Sequence, residues 1–122
     1  MNKDNVMNVL LQTEDKHQRF LAAWKRGVEF LGADLFGPGT VESARDKNDL
    51  CPLRGPIEMV FKKESSGEEQ FLAALVSFYD PLWGAQLAKG IGCPRSVCGL
   101  TYNLDHQCTQ ILCELLLNYE GW

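Results

Sequence analysis

The sequence predicts a compact, mainly helical domain of four or five helices that spans residues 1–122. Apolar residues recur at intervals of three and four in several stretches, as on one face of an α-helix. Residues that favour helix starts stand directly before those stretches. The chain has 122 residues, of which 45% are hydrophobic and 23% charged. This is enough for one ordinary core without disulfides or metals.

The first element is a helix that we expect to run from Glu14 to Leu31, with Thr13 as its cap and Gly32 as its stop. Its apolar positions follow helical spacing. They are Phe20, Leu21, Trp24, Val28 and Leu31. A shorter apolar stretch in residues 4–11 predicts one or two separate helical turns before it.

Residues 33–56 form a long connector that glycine and proline interrupt repeatedly. The interrupting glycines and prolines are Gly37, Pro38, Gly39, Pro52, Gly55 and Pro56. Within the connector, Thr40 can cap a short helix from Val41 to about Lys47. A connection of this length is typical either of a binding loop or of a well-packed irregular segment.

The alternation of Ile57, Met59 and Phe61 favours a strand over Ile57–Lys63, although Pro56 at a first helical position also permits a helix. A second alternating stretch covers residues 100–104. We therefore expect a short two-stranded β element that pairs residues 57–63 with residues 100–104.

Three further helices are predicted in the second half. Overlapping capping boxes in residues 65–69 precede the first, which ends at Tyr79. Asp80 and the proline after it begin the second, which ends near Lys89. Asp105 caps the third, which Gly121 closes. The predicted core consists of Phe20, Trp24, Val28, Phe71, Leu75, Phe78, Ile111, Leu112 and Leu115.

The stretch GAQLAKGIGCPRSVCGL, residues 84–100, resembles the middle of a helix-turn-helix. Ala88 fits the helix crossing and Gly92 fits the turn, so a DNA-binding regulator that uses residues 81–102 is one alternative function. Two features oppose it. Gly99 lies inside the supposed recognition helix, at a cost of about 1 kcal/mol relative to alanine. The residues that follow alternate as in a strand.

The charge distribution also opposes binding to nucleic acid. The net charge is −4, and residues 1–64 carry ten acidic and ten basic residues. Residues 65–122 carry six acidic and only two basic residues, too few cations to hold a phosphate backbone. The apolar runs are too short for a membrane span, and the start is too polar for a secretory signal. We therefore expect a cytoplasmic protein with no membrane or nucleic-acid partner.

The five cysteines predict reduced thiols, because no export signal accompanies them. Cys93 and Cys98, with His106, offer a second alternative, a thiol- or zinc-dependent protein. Their spacing departs from the two to four residues that usually separate paired zinc ligands. Cys108 lies on the apolar stripe of the last helix and is interpreted as a core residue. We expect neither a metal nor another cofactor.

The remaining hypothesis is a small non-enzymatic protein-binding or regulatory domain. It would act through aromatic residues and the 33–56 connector, with another protein or a second copy of the chain as its partner. The candidate interface residues are Trp83, Trp122, Phe36 and Arg95. No catalytic motif is present, and the sequence leaves a small-molecule ligand open.

Overall fold

The computed structural model describes residues 3–61, 67–91 and 104–122, with side chains from residue 15 onward in those ranges. The prediction of a mainly helical fold with a two-stranded sheet is confirmed. The helices are α1 (Lys3–Leu31), α2 (Arg54–Val60), α3 (Gly67–Tyr79), α4 (Pro81–Gly90) and α5 (His106–Asn118). The strands are β1 (Phe36–Pro38) and β2 (Leu50–Pro52), and single 3-10 turns cover Ala33–Leu35 and Lys47–Asp49.

Helix α1 is longer than predicted. It is continuous from Lys3, so Thr13 lies in its interior and does not cap it. No glycine or proline precedes Gly27 in this helix, and nothing in the local sequence interrupts it. The predicted stop is confirmed. Gly32 has a φ of 118° and donates its N–H to the Val28 carbonyl at 2.8 Å.

The connector contains the two strands. They pair antiparallel, with Phe36 opposite Pro52 and Pro38 opposite Leu50. The short helix predicted after Thr40 is reduced to one turn, in which the Ala44 N–H donates to the Thr40 carbonyl at 2.9 Å. The Thr40 hydroxyl accepts the N–H of Ser43 at 3.1 Å, as a capping residue does.

The strand predicted over Ile57–Lys63 is wrong for the residues that the structure describes. Residues 54–60 form α2, which buries Ile57 and leaves Met59 87% exposed. So short an apolar run is compatible with both periods, and Pro56 lies in the first turn, where its missing N–H costs nothing. Residues 62–63 and 100–103, the remainder of the predicted pairing, lie outside the described residues.

Helices α3 and α4 meet at Asp80 as predicted. The Asp80 carboxylate accepts the N–H of Trp83 at 3.0 Å, and α4 then ends at Gly90, one residue beyond the predicted end. The predicted turn and extended chain of residues 92–103 lie outside the described residues, as do the serines of the capping boxes.

Helix α5 begins as predicted and packs against α1. The Asp105 carboxylate accepts the N–H of Cys108 at 2.8 Å. Helix α5 ends at Asn118, three residues before the predicted Gly121. Arg26 forms an ion pair with Glu114, and Phe20 contacts Tyr119, so α1 and α5 run antiparallel.

All nine residues of the predicted core are buried, with exposed fractions of 9% or less. They join residues from the connector and from α2, including Leu50 and Ile57, in one cluster. The indole N–H of Trp24 donates to the Leu50 carbonyl at 2.9 Å, which ties α1 to β2 inside this core.

Candidate functional site

Two of the aromatic residues proposed for an interface lie in the core. Trp83 is 3% exposed, and the guanidinium of Arg54 covers its ring at 4.4 Å from the ring centroid. Phe36 is also 3% exposed and meets Trp24 edge-on, with 6.0 Å between the ring centroids. Neither ring presents surface to a partner, so we assign both to packing, which corrects their proposed interface role.

Trp122 occupies a different position, because it is half-buried and joins the connector to the helices. Its ring centroid lies 5.0 Å from that of Trp24 and 5.2 Å from that of Tyr79. Its indole N–H donates to the side-chain carbonyl of Asn48 at 2.8 Å. The structure thus brings together Trp122 and the 33–56 connector, the two features that the sequence proposed separately.

The residues of the two alternative functions are only partly described. Arg95, Cys93 and Cys98 lie outside the described residues, together with the second half of the helix-turn-helix-like segment. His106 is exposed in the first turn of α5. Within 3–61, 67–91 and 104–122, no group of three or more His, Cys, Asp or Glu residues is placed to hold a metal ion.

The described thiols differ in their surroundings. Burial, with smaller contributions from the Asp105 carboxylate and from Glu68, raises the pKa of Cys108 to about 12. Burial also raises the pKa of Cys51. Cys113 is exposed on α5. The prediction of Cys108 as a core residue is therefore confirmed, and Cys113 is the most exposed of these three thiols.

Helix α5 carries an exposed apolar face that the sequence analysis missed. Leu116 and Leu117 are 67% and 74% exposed, and Cys113 lies one turn before them. Successive residues of a helix point about 100° apart, so three consecutive leucines cannot all face one core. Leu115 takes the core position and is fully buried. The helical spacing of the last helix also predicts Leu116 on its buried stripe, and the 67% exposure of Leu116 shows that this prediction is wrong.

Leu117 borders a shallow groove between α1 and α5. The groove has a volume of about 510 Å³ and is lined by Arg19, Ala22, Glu114, Leu117 and Asn118. Ala22 is exposed and contributes only a methyl group, so the α1 side of the groove stays open. Leu117 thus joins the groove to the exposed apolar face of α5, whereas Leu116 points about 100° away from Leu117 and does not line the groove.

Charged groups of both signs border the groove. Arg26 pairs with Glu114 across the two helices. Farther along α1, Arg19 pairs with Asp15 at 3.7 Å. The side-chain amide of Asn118 donates to the Glu114 carbonyl at 2.7 Å. An apolar centre with a mixed polar rim is the usual composition of a protein-binding surface.

Over the described ranges, no helix has both the length and the apolar character needed to cross a bilayer. The chain matches no known protein family, no curated protein and no solved structure. The groove and its chemistry are therefore the basis of the functional assignment.

Proposed function

We propose that the chain is a protein-binding domain whose α1–α5 groove takes an amphipathic helix of a partner protein. The observation that carries this proposal is the 74% exposure of Leu117 at the edge of the groove, beside a second exposed leucine. The opposite face of α5 is buried, so these leucines contribute nothing to the core. Exposed apolar strips with polar rims mark interaction sites.

The shape of the groove favours a helix as the occupant. Helix α5 has 13 residues and is therefore about 20 Å long, enough to accompany three to four turns of a partner helix. A third helix can pack its ridges into the groove between two antiparallel helices. Apolar residues at intervals of three, four and seven on the partner would contact Leu117 and the methyl group of Ala22.

The mixed charges of the rim define the partner further. Arg19 and Glu114 stand on opposite sides of the groove, one on each helix. Because Arg19 and Glu114 already pair with Asp15 and Arg26, each side of the groove carries both signs of charge, which a partner helix with both acidic and basic residues beside its apolar face would complement.

The expected energy is moderate. Full burial of one leucine is worth about 1.5–3 kcal/mol, and Leu117, which lines the groove, begins 74% exposed. Replacement of Leu117 by glutamate removes this term and places a charge in the apolar centre. Since 1.4 kcal/mol corresponds to a tenfold change, the affinity should fall by at least about tenfold.

The chain offers matched controls. Leu82 on α4 is 71% exposed, nearly the same as Leu117, but it lies on another helix, so Leu82→Glu controls for Leu117→Glu. Ala85 on α4 is exposed like Ala22, so Ala85→Arg controls for Ala22→Arg, which fills the groove.

We expect a partner that co-purifies with the wild type after chemical cross-linking to be retained by both α4 variants and lost by Leu117→Glu and Ala22→Arg. Sedimentation of the purified chain tests whether the helix comes from a second copy. Equal retention by all variants, or equal loss in both leucine variants, would exclude the groove as the binding site.

A further inference from the structure

Residues 119–122, which follow α5, lie in an aromatic groove of the same domain. The ring of Trp122 packs against those of Trp24 and Tyr79, as described above, and against Phe20 at 6.3 Å between centroids. The Tyr119 hydroxyl donates to the Phe78 carbonyl at 3.3 Å. This aromatic groove is separate from the α1–α5 groove, because the two share no lining residue and the aromatic walls come from α1, α3 and the connector.

The 3-10 turn Lys47–Asp49 of the connector supplies polar contacts to residues 119–122, which we call the tail segment or tail. Asn48 accepts the indole N–H of Trp122, and the Lys47 ammonium donates to the Gly121 carbonyl. The same ammonium lies 5.1 Å from the Trp122 ring centroid and 5.5 Å from that of Phe20. A cation at this distance is attracted by the ring face. The turn thus contacts both the indole ring of Trp122 and the carbonyl of the preceding residue, Gly121.

Contacts that do not involve the tail hold this turn. The Asp46 carboxylate accepts the backbone N–H of Asn48 at 2.7 Å and its side-chain amide at 2.8 Å. His17 Nε2 lies 3.4 Å from the other oxygen of Asp46. Because the amide N–H of Asn48 is engaged by Asp46, its side-chain oxygen is oriented toward the indole. The contacts with Asp46 would hold this acceptor in position without a tryptophan.

The aromatic walls are fixed in the same way. The Trp24 N–H is bound by the Leu50 carbonyl, and the Trp24 ring meets Phe36 edge-on. Phe20 stacks on Trp24 with 5.9 Å between centroids, and the low exposure of both rings includes the cover that Trp122 provides. Trp122, in contrast, is only half-buried, and the chain that carries it has left the helix. The walls resemble a receptor and the tail resembles a bound peptide.

We propose that this groove is a binding site for a tryptophan-bearing segment of a partner protein, and that residues 119–122 occupy it in cis. The ligand would place its indole between the aromatic walls, donate its N–H to Asn48 and offer the preceding carbonyl to Lys47. This site does not depend on the α1–α5 groove, and either can exist without the other.

Residues 119–122 would compete with a free peptide, because both would occupy the same groove. A tethered segment acts at an effective concentration on the order of 1 mM. If a free peptide binds the open groove with a dissociation constant of about 0.1 mM, the tail weakens its apparent affinity about tenfold. Removal of the Trp122 ring should therefore strengthen binding of the same peptide by about that factor.

The test uses the full chain and the acetylated peptide Asn-Tyr-Glu-Gly-Trp, followed by calorimetric titration. Trp122→Ala should bind this peptide about tenfold more tightly than the wild type does. A peptide that ends in leucine should bind several-fold more weakly. Adding Asn48→Ala to the Trp122→Ala chain should weaken binding, whereas adding Gln86→Ala, an exposed site on α4, should leave it unchanged.

A second measurement needs no substitution in the protein. When unlabelled peptide is added to isotopically labelled wild type, the indole N–H resonance of Trp122 should move toward its position in free tryptophan. An unmoved resonance at millimolar peptide would overturn the proposal. So would equal affinity of wild type and Trp122→Ala, or loss of the folded state in Trp122→Ala, which would make Trp122 a core residue.

Discussion

The closest approach between α3 and α4 gives the sharpest prediction on stability. Gly84 of α4 faces Ser77 of α3, and a Cβ atom added at Gly84 would lie 2.6 Å from the Ser77 Cα. Ordinary contact begins at 3.4 Å, so the added atom falls about 0.8 Å short. The obstructing atoms include the backbone N and Cα of Ser77, which cannot rotate away. Helix α4 must therefore shift as a whole.

The magnitude follows from two opposing terms. At an open helix position, alanine is more favourable than glycine by up to about 1 kcal/mol. Overpacking of a close contact costs about 1–3 kcal/mol, and a shift of α4 also loosens the buried Trp83. We expect Gly84→Ala to lower the free energy of unfolding by about 1–2 kcal/mol. For a chain of this size the melting temperature should fall by roughly 3–10 °C.

Urea and thermal unfolding measure this change, with Gly90→Ala as the matched control. Gly90 is the last residue of the same helix, and a Cβ added there meets nothing within 4 Å. The control should be neutral or slightly more stable. If Gly84→Ala matched the control in stability, the close packing of α4 on α3 and the reasoning from it would be refuted.

Three further outcomes are expected. Trp24→Phe leaves the buried Leu50 carbonyl of β2 without its donor and removes ring volume, so the free energy of unfolding measured with denaturant should fall by about 2–4 kcal/mol. A fall of less than about 0.5 kcal/mol would contradict this prediction. The backbone N–H of Asn48 holds the pKa of Asp46 below its ordinary value, which means that the ionised Asp46 side chain stabilises the folded state. This contribution to the free energy of unfolding is present above the pKa of Asp46 in the unfolded chain. It is lost as the pH falls through the lower pKa of the folded state. Melting temperatures between about pH 6 and 2 should therefore fall less in Asp46→Asn than in the wild type, and parallel pH curves would exclude the effect. An alkylating reagent followed by mass spectrometry should modify Cys113 well before Cys108, whose pKa burial raises to about 12; similar rates would contradict the burial.

Local patterns in the sequence were sufficient for much of the helical structure. The spacing of Trp24, Val28 and Leu31 predicted the buried face of α1, because a helix repeats every 3.6 residues. Asp80 and Asp105 marked helix starts, because their carboxylates satisfy backbone N–H groups within three residues. These features depend on neighbours in the chain and need no tertiary information.

The sheet and the aromatic groove could not be predicted in this way. The strands 36–38 and 50–52 read Phe-Gly-Pro and Leu-Cys-Pro, which have no alternating pattern. Lys47 and Asn48 each contact a residue 74 positions away, and no local signal links such distant residues. The α1–α5 groove did have a signal. The run of three leucines at 115–117 already required at least one of them to leave the core.

A photo-crosslinking residue at position 22 tests the α1–α5 groove most directly, with the same residue at position 85 as the control. Ala22 lines the groove, whereas Ala85 lies on α4. After irradiation of cells that express the protein, mass spectrometry of the cross-linked peptides identifies what lies in contact. We predict that position 22 cross-links to a single amphipathic helical segment and that position 85 does not. Absence of a product from position 22, or the same products from both positions, would contradict a partner helix in the groove.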